Sequence, residues 1–524
     1  MLFQLNNDNT KLILKESTSE EYKQLKLFLN PFVKDYRFTT RFKYTSWDGR
    51  YDYFHNGNIN FGLWKEVLDC CKEYDFKFDV INKESFPKDN NIILNDIQNF
   101  CDDFFKNHKQ KDNITQFKPY EHQVDAAYKM LKYKFGLIEV ATSGGKSLIF
   151  SIMAFFILKK IKPDAKILLI VPSLQLVTQF YDDILDYNYG FNKENVDPLN
   201  LKIQEVMSDK PRKVRDNEIP NIYIGTYQSL INYGTPELIP NFYNQFDLVC
   251  CDESHKAKAS EIQSIMKRTI GHATYRVGMS GTYPPKGSAE LFAIEEVTGP
   301  ILIVVKAKEL MEKNIISNVK IKSLLLNYND IQFARDVFTI KRLGQGKKAY
   351  ELEKEYAQNS EKRKLFLTNL VNKFKHNSIM LFHNINYGKE LYDFFRSNVS
   401  DKDFYYIDGE TPSEKRQYIK TQMEITSDRP KILVSSFGTT STGLSINALK
   451  NLVLCDSFKS DSLIRQSIGR ILRLHKIKDI AIVYDIVDIF HTSYRTTLFK
   501  HFIVRRDLIY KKQEYPYDEI KINL

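Results

Sequence analysis

The chain has 524 residues, 43% of them hydrophobic and 27% charged, a balance that supports several buried cores and excludes global disorder. Its longest apolar run, Leu148–Leu158, is about half of the ~20 residues that cross a bilayer, and the N-terminus lacks the basic-then-apolar layout of a secretion signal, so a soluble cytoplasmic protein with no membrane partner is expected. Lysine and arginine exceed aspartate and glutamate by 76 to 65, a net charge of +11, and six cysteines form no C-x-x-C pair; the charge is compatible with an anionic partner or merely with an AT-rich coding genome, and the cysteines argue against a zinc site.

Residues 1–110 read as a first, small α+β unit. Within it Tyr36–Tyr44 alternates, which predicts a strand with Arg37, Thr39, Arg41 and Lys43 on one face and Tyr36, Phe38, Phe42 and Tyr44 on the other. The aromatic face suits a core in preference to base stacking, and the face of Arg37, Arg41 and Lys43 suits either phosphates or solvent. The polar stretch Lys106–Gln116 reads as a linker. In residues 111–305 short apolar runs recur between helical patterns: Gly136–Val140, Lys166–Val171, Asn221–Gly225, Leu248–Cys251 and Tyr275–Met279. Strands alternating with helices imply a parallel sheet. After a charged, irregular segment the rhythm returns in residues 306–490, at Ser378–Phe382, Asp403–Ile407, Lys431–Ser435, Asn451–Cys455 and Ile480–Tyr484. The expected fold class is therefore α/β, with two parallel-sheet domains in tandem behind the small leading domain. Residues 491–524 read as a basic extension in which Arg495, Lys500, Arg505, Arg506, Lys511 and Lys512 face the acid Asp507, forming either a phosphate track or a solvated helix.

The first sheet's opening strand runs into Ala141-Thr142-Ser143-Gly144-Gly145-Lys146-Ser147 and then an apolar helix. This is the strand, loop and helix order of a phosphate-binding site: loop amides and the helix N-terminus surround phosphate oxygens, Lys146 supplies a cation and Ser147 can ligate magnesium. Val140 stands where the general pattern has its first glycine. Downstream, Leu248-Val249-Cys250-Cys251 ends in Asp252-Glu253-Ser254-His255, so two adjacent carboxylates finish a buried strand. Asp252 can hold the metal while Glu253 orients or deprotonates the attacking water. Gln123, just before the loop strand, has an amide able to read both the donor and the acceptor of an adenine edge. Ser280-Gly281-Thr282, after another strand, is expected to place hydroxyls beside His255. In the second domain, Gln466-Ser467-Ile468-Gly469-Arg470-Ile471-Leu472-Arg473 spaces two guanidiniums three residues apart on one helix face, suited to stabilising transition-state charge on a phosphoryl group.

Together these motifs resemble those of a superfamily 2 helicase over residues 117–490, built on two RecA-like domains. Gln123 is similar to the adenine-reading glutamine and Ala141–Ser147 to motif I. Val171–Leu176 and Gly225–Ser229 resemble motifs Ia and Ib, Asp252–His255 motif II, and Ser280–Thr282 motif III. In the second domain Leu381–Asn384 stands where motif IV is expected, Tyr406–Thr411 resembles motif IVa, Ser435–Asn447 motif V and Gln466–Arg473 motif VI. The motif V stretch, the motif VI run and Trp47-Asp48-Gly49 in the leading domain resemble the UvsW-type recombination and branch-migration helicases of T-even-like bacteriophages. Motif V here lacks the Arg-Gly-x-Asp segment of many relatives.

The resemblance implies an ATP- and Mg2+-dependent DNA helicase that remodels forks, D-loops, R-loops and Holliday junctions, in a host cell's cytoplasm if the source is a phage. It implies that Lys146, Asp252, Glu253, His255, Gln466, Arg470 and Arg473 are catalytic. Nucleotide contacts fall to Gln123, Thr142, Ser143, Gly144, Gly145, Lys146, Ser147 and Gly443, and the metal to Ser147 and Asp252. Ser173, Thr226 and Ser436 offer hydroxyls to a DNA backbone beside Arg37, Arg41 and Lys43. The partner is branched DNA or a single-strand/duplex junction, with RNA where R-loops are the substrate. An RNA helicase, the motor subunit of a restriction system, and a nucleic-acid-binding scaffold without turnover remain alternatives at this level.

Overall fold

A computed structural model of the chain describes all residues except 34, 111–113, 208–218, 236–238, 258–259, 442–445, 457–460 and 473–479, and leaves undescribed the side chains of 413, 440, 441, 461, 462, 466 and 470. The chain forms two compact units, one of Met1–Val140 and Gly145–Val305, the other of Lys306–Leu524 with Ala141–Gly144. No helix among the described residues is long and apolar enough to cross a membrane.

The first unit is built on a seven-stranded sheet with the spatial order Ile301–Val305, Phe135–Val140, Tyr275–Ser280, Leu248–Asp252, Ile167–Val171, Ile222–Thr226 and Ile203–Val206. Every ladder in it is parallel. Ile167–Val171, Ile222–Thr226 and Leu248–Asp252 are buried along their whole length, as strands covered on both faces must be, which is why they read as unbroken apolar runs. The five strands expected here are present with small shifts at their ends. Ile301–Val305 and Ile203–Val206 were not expected, the latter because its centre is Gln204-Glu205, a polar pair that is nonetheless buried. The carboxyl ends of Phe135–Val140, Tyr275–Ser280 and Leu248–Asp252 lie side by side, in a register that pairs Asp252 with Met279 and Ser280 with Glu139. Parallel sheets bind ligands at this edge.

The leading domain is a five-stranded mixed sheet, ordered Phe54–His55, Asn58–Asn60, Lys11–Glu16, Leu2–Leu5 and Asp79–Val80, with the helices Ser19–Leu29 and Trp64–Glu73. Its core of Phe3, Leu12, Leu25, Phe54, Phe61 and Val67 is continuous with Phe135 and Phe292 of the larger sheet domain. Tyr53 donates its hydroxyl to Ala289 O at 3.0 Å, and Lys65 Nζ donates to Ile301 O at 3.2 Å. A Cβ on Gly62 would stand 2.0 Å from Glu295 O, so this close approach requires glycine. The domain is thus packed onto its neighbour.

One expectation fails here. Tyr36–Tyr44 is not a strand but a 3-10 turn, Tyr36–Phe38, followed by the short helix Thr40–Tyr44. Asp35 enters the segment in the left-handed region at φ 56°. Thr39 Oγ1 then caps the helix by accepting from Phe42 N at 3.3 Å, a side-chain bond that competes with strand pairing. The division into two faces consequently disappears: Phe38 and Tyr44, assigned to a core, are 79% and 81% exposed.

The second unit carries another all-parallel, seven-stranded sheet, ordered Asp403–Ile407, Lys431–Ser436, Ser378–Phe382, Asn451–Leu454, Ile480–Ile489, Asn318–Asn327 and Tyr517–Asn523. The segment expected to be irregular contains the strand Asn318–Asn327 and the helices Ile331–Arg342, Gly346–Asn359 and Glu361–Asn372. Residues 491–524, expected as a basic extension, instead supply the helix Thr497–Arg505 and the sheet's edge strand. The phosphate track is corrected with them. Arg505 is 1% exposed and bonds Asp485 in bidentate fashion at 2.9 and 3.1 Å. Arg506 pairs with Asp507 and Glu519, and Lys511 pairs with Asp507. Half of the supposed track is therefore spent on intramolecular pairs.

Candidate nucleotide site and nucleic-acid contacts

The strand Phe135–Val140 ends in the loop and the loop ends in the helix Lys146–Phe156. Ser143 at φ 70° and Gly145 at φ 84° turn the backbone, and Gly144 N donates to Ala141 O at 2.9 Å. Gly145 is the helix N-cap and offers no side chain, so the first-turn amides have no side-chain cap. Such amides at a helix N-terminus are suited to phosphate oxygens. A Cβ on Gly145 would lie 2.1 Å from Gln123 Nε2. The glycine thus serves two needs, the left-handed φ and the room for Gln123. Gln123 is 4% exposed, and its Oε1 accepts from Tyr120 N at 2.8 Å.

Lys146 Nζ lies 3.3 Å from Glu253 Oε1. On its other oxygen, Glu253 faces His255 Nδ1 at 3.2 Å, and the same ring nitrogen is 2.9 Å from Ser280 Oγ. Ser280 Oγ donates to Thr282 O at 2.8 Å, leaving lone pairs for an imidazole N–H. Motifs II and III are thereby joined by one polar chain, with the hydroxyl beside His255 as the sequence suggested.

Asp252 and Glu253 are neighbours in sequence, yet their environments push them apart. Burial raises the Asp252 carboxyl to about 6, with Lys146 pulling it down and Glu253 pushing it up. Burial alone would raise Glu253 too, but Lys146 and His255 outweigh it and hold that carboxyl well below the ordinary range. The Lys146 ammonium, which burial disfavours, is held above its ordinary value by Glu253 and Asp252. Glu253 adopts φ 48°, a left-handed conformation costly for this residue type. Asp252 Oδ1 is buried without a hydrogen-bond partner. A buried, unpaired carboxylate oxygen is what a cation would satisfy. Ser147 Oγ, the other expected ligand, is 3.4 Å from Tyr187 OH. No cluster of three or more His, Cys, Asp or Glu side chains able to hold a metal occurs among the described residues. Asp252 Oδ1 and Ser147 Oγ are both oxygen donors, the type that magnesium takes in small number beside waters and phosphate oxygens.

The remaining expected positions divide. Ser173 begins the helix Leu174–Tyr189, and its Oγ is buried without a partner. Thr226 Oγ1 caps the helix Tyr227–Tyr233, accepting from Ser229 N at 3.2 Å and donating to Ser229 Oγ at 2.9 Å. Ser436 Oγ is bonded to Thr439 Oγ1. The last two hydroxyls are thus already engaged within the protein, Thr226 as a helix cap. Gln466 and Arg470 lie on the helix Asp461–Ile471, and Gly443 and Arg473 lie outside the described residues.

Two groups were missed from sequence. Tyr187, from the helix Leu174–Tyr189, stands over Ser147; an aromatic late in an amphipathic helix gives no distinctive signal. Asp456 in the second unit accepts from His383 N at 2.7 Å and from Gln358 Nε2 at 3.2 Å. It follows a cysteine at the carboxyl end of a strand, as Asp252 does, and that repetition could have flagged it.

Three family models match parts of the chain: the N-terminal domain of the DNA helicase UvsW at residues 7–81, the res subunit of type III restriction enzymes at residues 107–285, and the helicase conserved C-terminal domain at residues 361–475. The ATP-dependent DNA helicase uvsW of Enterobacteria phage T4 is 29% identical over 488 residues, covering 92% of this chain and 89% of that protein. The crystal structure of T4 UvsW aligns at 24% identity and a TM-score of 0.48, covering 100% of this chain and 99% of that one. The ATP-dependent type ISP restriction-modification enzyme LlaBIII, solved bound to DNA, aligns with 88% of this chain and 36% of its own at a TM-score of 0.57 and 14% identity, a likeness of fold.

Proposed function

We infer that this chain, which belongs to the UvsW-like superfamily 2 helicases, is an ATP-dependent DNA helicase that unwinds and remodels branched DNA. The observation that carries this reading is the polar chain Lys146–Glu253–His255–Ser280 beside the unpaired Asp252 carboxylate, all at the carboxyl edge of one parallel sheet. A nucleic-acid-binding scaffold has no need for a buried carboxylate oxygen left without a partner.

Without substrate, Lys146 and Glu253 neutralise each other. A γ-phosphate at the helix N-terminus draws Nζ away, which frees Glu253 Oε1 and raises its proton affinity just where the attacking water needs a base. His255 keeps its hold on the second oxygen and so fixes the carboxylate's orientation. Asp252 and Ser147 would hold the magnesium, which when bound neutralises phosphate charge. Gln123, Thr142, Ser143, Gly144, Gly145 and Gly443 are assigned the nucleotide, and Gln466, Arg470 and Arg473 the transition-state charge, by their motif positions. Residues 1–110 are assigned to DNA binding, with Arg37, Arg41 and Lys43, all exposed, as phosphate contacts. Ser173, Thr226 and Ser436 are assigned backbone contacts; Ser173, whose Oγ has no protein partner, has the best claim among the three.

The match to the N-terminal domain of the DNA helicase UvsW over residues 7–81 supports DNA over an RNA duplex as the substrate. A strand-separation assay on forked DNA, a four-way junction, blunt DNA duplex and RNA duplex, each with MgATP, tests this. Fork and junction should be resolved fastest. Equal or faster unwinding of the RNA duplex would overturn the DNA assignment.

A further inference from the structure

The segment between Pro31 and Tyr51 is held together by a small aromatic lattice. Phe32 stacks on Tyr36 at 4.8 Å, and Tyr36 meets Phe42 edge-on at 4.9 Å. The guanidinium of Arg50 lies 3.8 Å over Phe32, and that of Arg41 lies 4.7 Å over Trp47. Trp47-Asp48-Gly49 acts as its clip. Trp47 Nε1 donates to Arg50 O at 2.8 Å, and Asp48 Oδ1 accepts from Arg50 N at 3.0 Å. At Gly49, φ is +85° and a Cβ would sit 2.1 Å from the Tyr36 ring. Four of the segment's aromatic side chains are thus used internally.

Two others are not. Phe38 is 79% exposed and Tyr44 81%, and neither stacks on another ring among the described residues. They sit at the ends of the two short helical turns, interleaved with the exposed cations Arg37, Arg41 and Lys43. Water-facing aromatics forgo the burial that normally places them in a core, and here the neighbouring side chains already carry the lattice. Aromatic faces set among cations match single-stranded nucleic acid, in which every base offers a π-face and every linkage a phosphate.

We propose that Phe38 and Tyr44 form a stacking platform for unpaired bases at the branch point of a DNA substrate. This rests on the reading of Arg37, Arg41 and Lys43 as phosphate contacts, and it assigns a separate role: the cations hold the backbone, and the rings distinguish unpaired from paired DNA. Stacking is tolerant of sequence, as a branch-acting protein requires.

The test uses the full chain and a fork carrying 2-aminopurine in its single-stranded arm next to the branch, with a blunt duplex of equal length as control. Phe38→Ala and Tyr44→Ala should each weaken fork binding by about tenfold, abolish the change in 2-aminopurine fluorescence on binding and leave the salt slope unaltered, whereas Tyr44→Phe should retain wild-type behaviour. Blunt-duplex affinity should change by less than about twofold. Thermal unfolding midpoints equal to wild type establish that the variants are folded. The Arg37, Arg41 and Lys43 triple alanine variant should lower the salt slope by about 0.7 to 0.9 per lost contact. If that slope falls while the aromatic variants bind the fork normally, the phosphate reading stands and the stacking platform is overturned; if the slope is also unchanged, both fall. Equal losses on fork and blunt duplex likewise overturn it.

Discussion

The two parallel sheets each carry an interior strand with Cys-Asp at its carboxyl end, Cys251-Asp252 closing the first strand and Cys455-Asp456 following the second, and they treat the aspartate in opposite ways. Asp456 is fully engaged: it accepts from His383 N at 2.7 Å, from Asn384 N at 3.4 Å and from Gln358 Nε2 at 3.2 Å. Asp252 keeps one oxygen buried with no partner, next to a Glu253 in a left-handed conformation and a lysine in an ion pair. One polar edge is satisfied as folded, while the other keeps a buried carboxylate oxygen without a partner. The fold is shared, so the function must be read from what each edge leaves unpaired.

The buried charges of the second unit follow the same logic. Arg363 bonds Asp488 at 2.8 and 3.2 Å and Cys455 O at 2.5 Å, and Tyr328 donates to the same carboxylate at 2.8 Å. Arg505 and Tyr510 both bond Asp485. These networks hold the sheet to its helices, in contrast to the first sheet's edge, where Asp252 Oδ1 is buried without a partner.

The contrast predicts a large loss of turnover at Lys146. Lys146→Ala removes the phosphate cation and the counter-ion of Glu253 together, and should cut ATP turnover by about 10² to 10³-fold, measured as phosphate release. The second sheet should respond in stability instead. Asp456→Ala strands two backbone amides and a glutamine amide, at a cost of about 2–4 kcal/mol, seen as a lowered thermal midpoint. A fall in turnover without any loss of stability would break the comparison.

The smallest effect is a pH dependence. The folded state raises the Asp252 carboxyl to about 6 from 3.8, so it holds a proton more tightly than the unfolded chain does. The stability this contributes is fully present below about pH 4 and is lost as pH rises through about 6. Asp252→Asn removes that loss. Without nucleotide or magnesium, its midpoint relative to wild type should climb between pH 4 and pH 7, by about 2–4 °C for each ~1 kcal/mol recovered. Thermal scans across that range would check this.

Much of the nucleotide edge was legible because its chemistry is local in sequence: a loop from Ala141 to Ser147 and the pair Asp252-Glu253 name themselves wherever a strand precedes them. What escaped was set by tertiary context. The edge strand Tyr517–Asn523 is largely exposed, so its residues carry no apolar run, and Asn318–Asn327 hides behind Lys320 and Lys322. The Tyr36–Tyr44 alternation satisfied a strand pattern, but Thr39 was the stronger signal, since a threonine able to cap Phe42 N starts a helix whatever the spacing of the aromatics. Arg505 looked like surface charge because its partner, Asp485, is 20 residues away on a buried strand.

The most direct test is to measure nucleotide binding and hydrolysis together in Glu253→Gln. That change keeps Asp252, Lys146 and the loop amides but removes the carboxylate that lysine and histidine hold in place. MgATP affinity should stay within a few-fold of wild type while DNA-stimulated turnover falls by about 10² to 10⁴-fold. Turnover near the wild-type rate with intact binding would mean that the unpaired edge of the first sheet is not where ATP is hydrolysed.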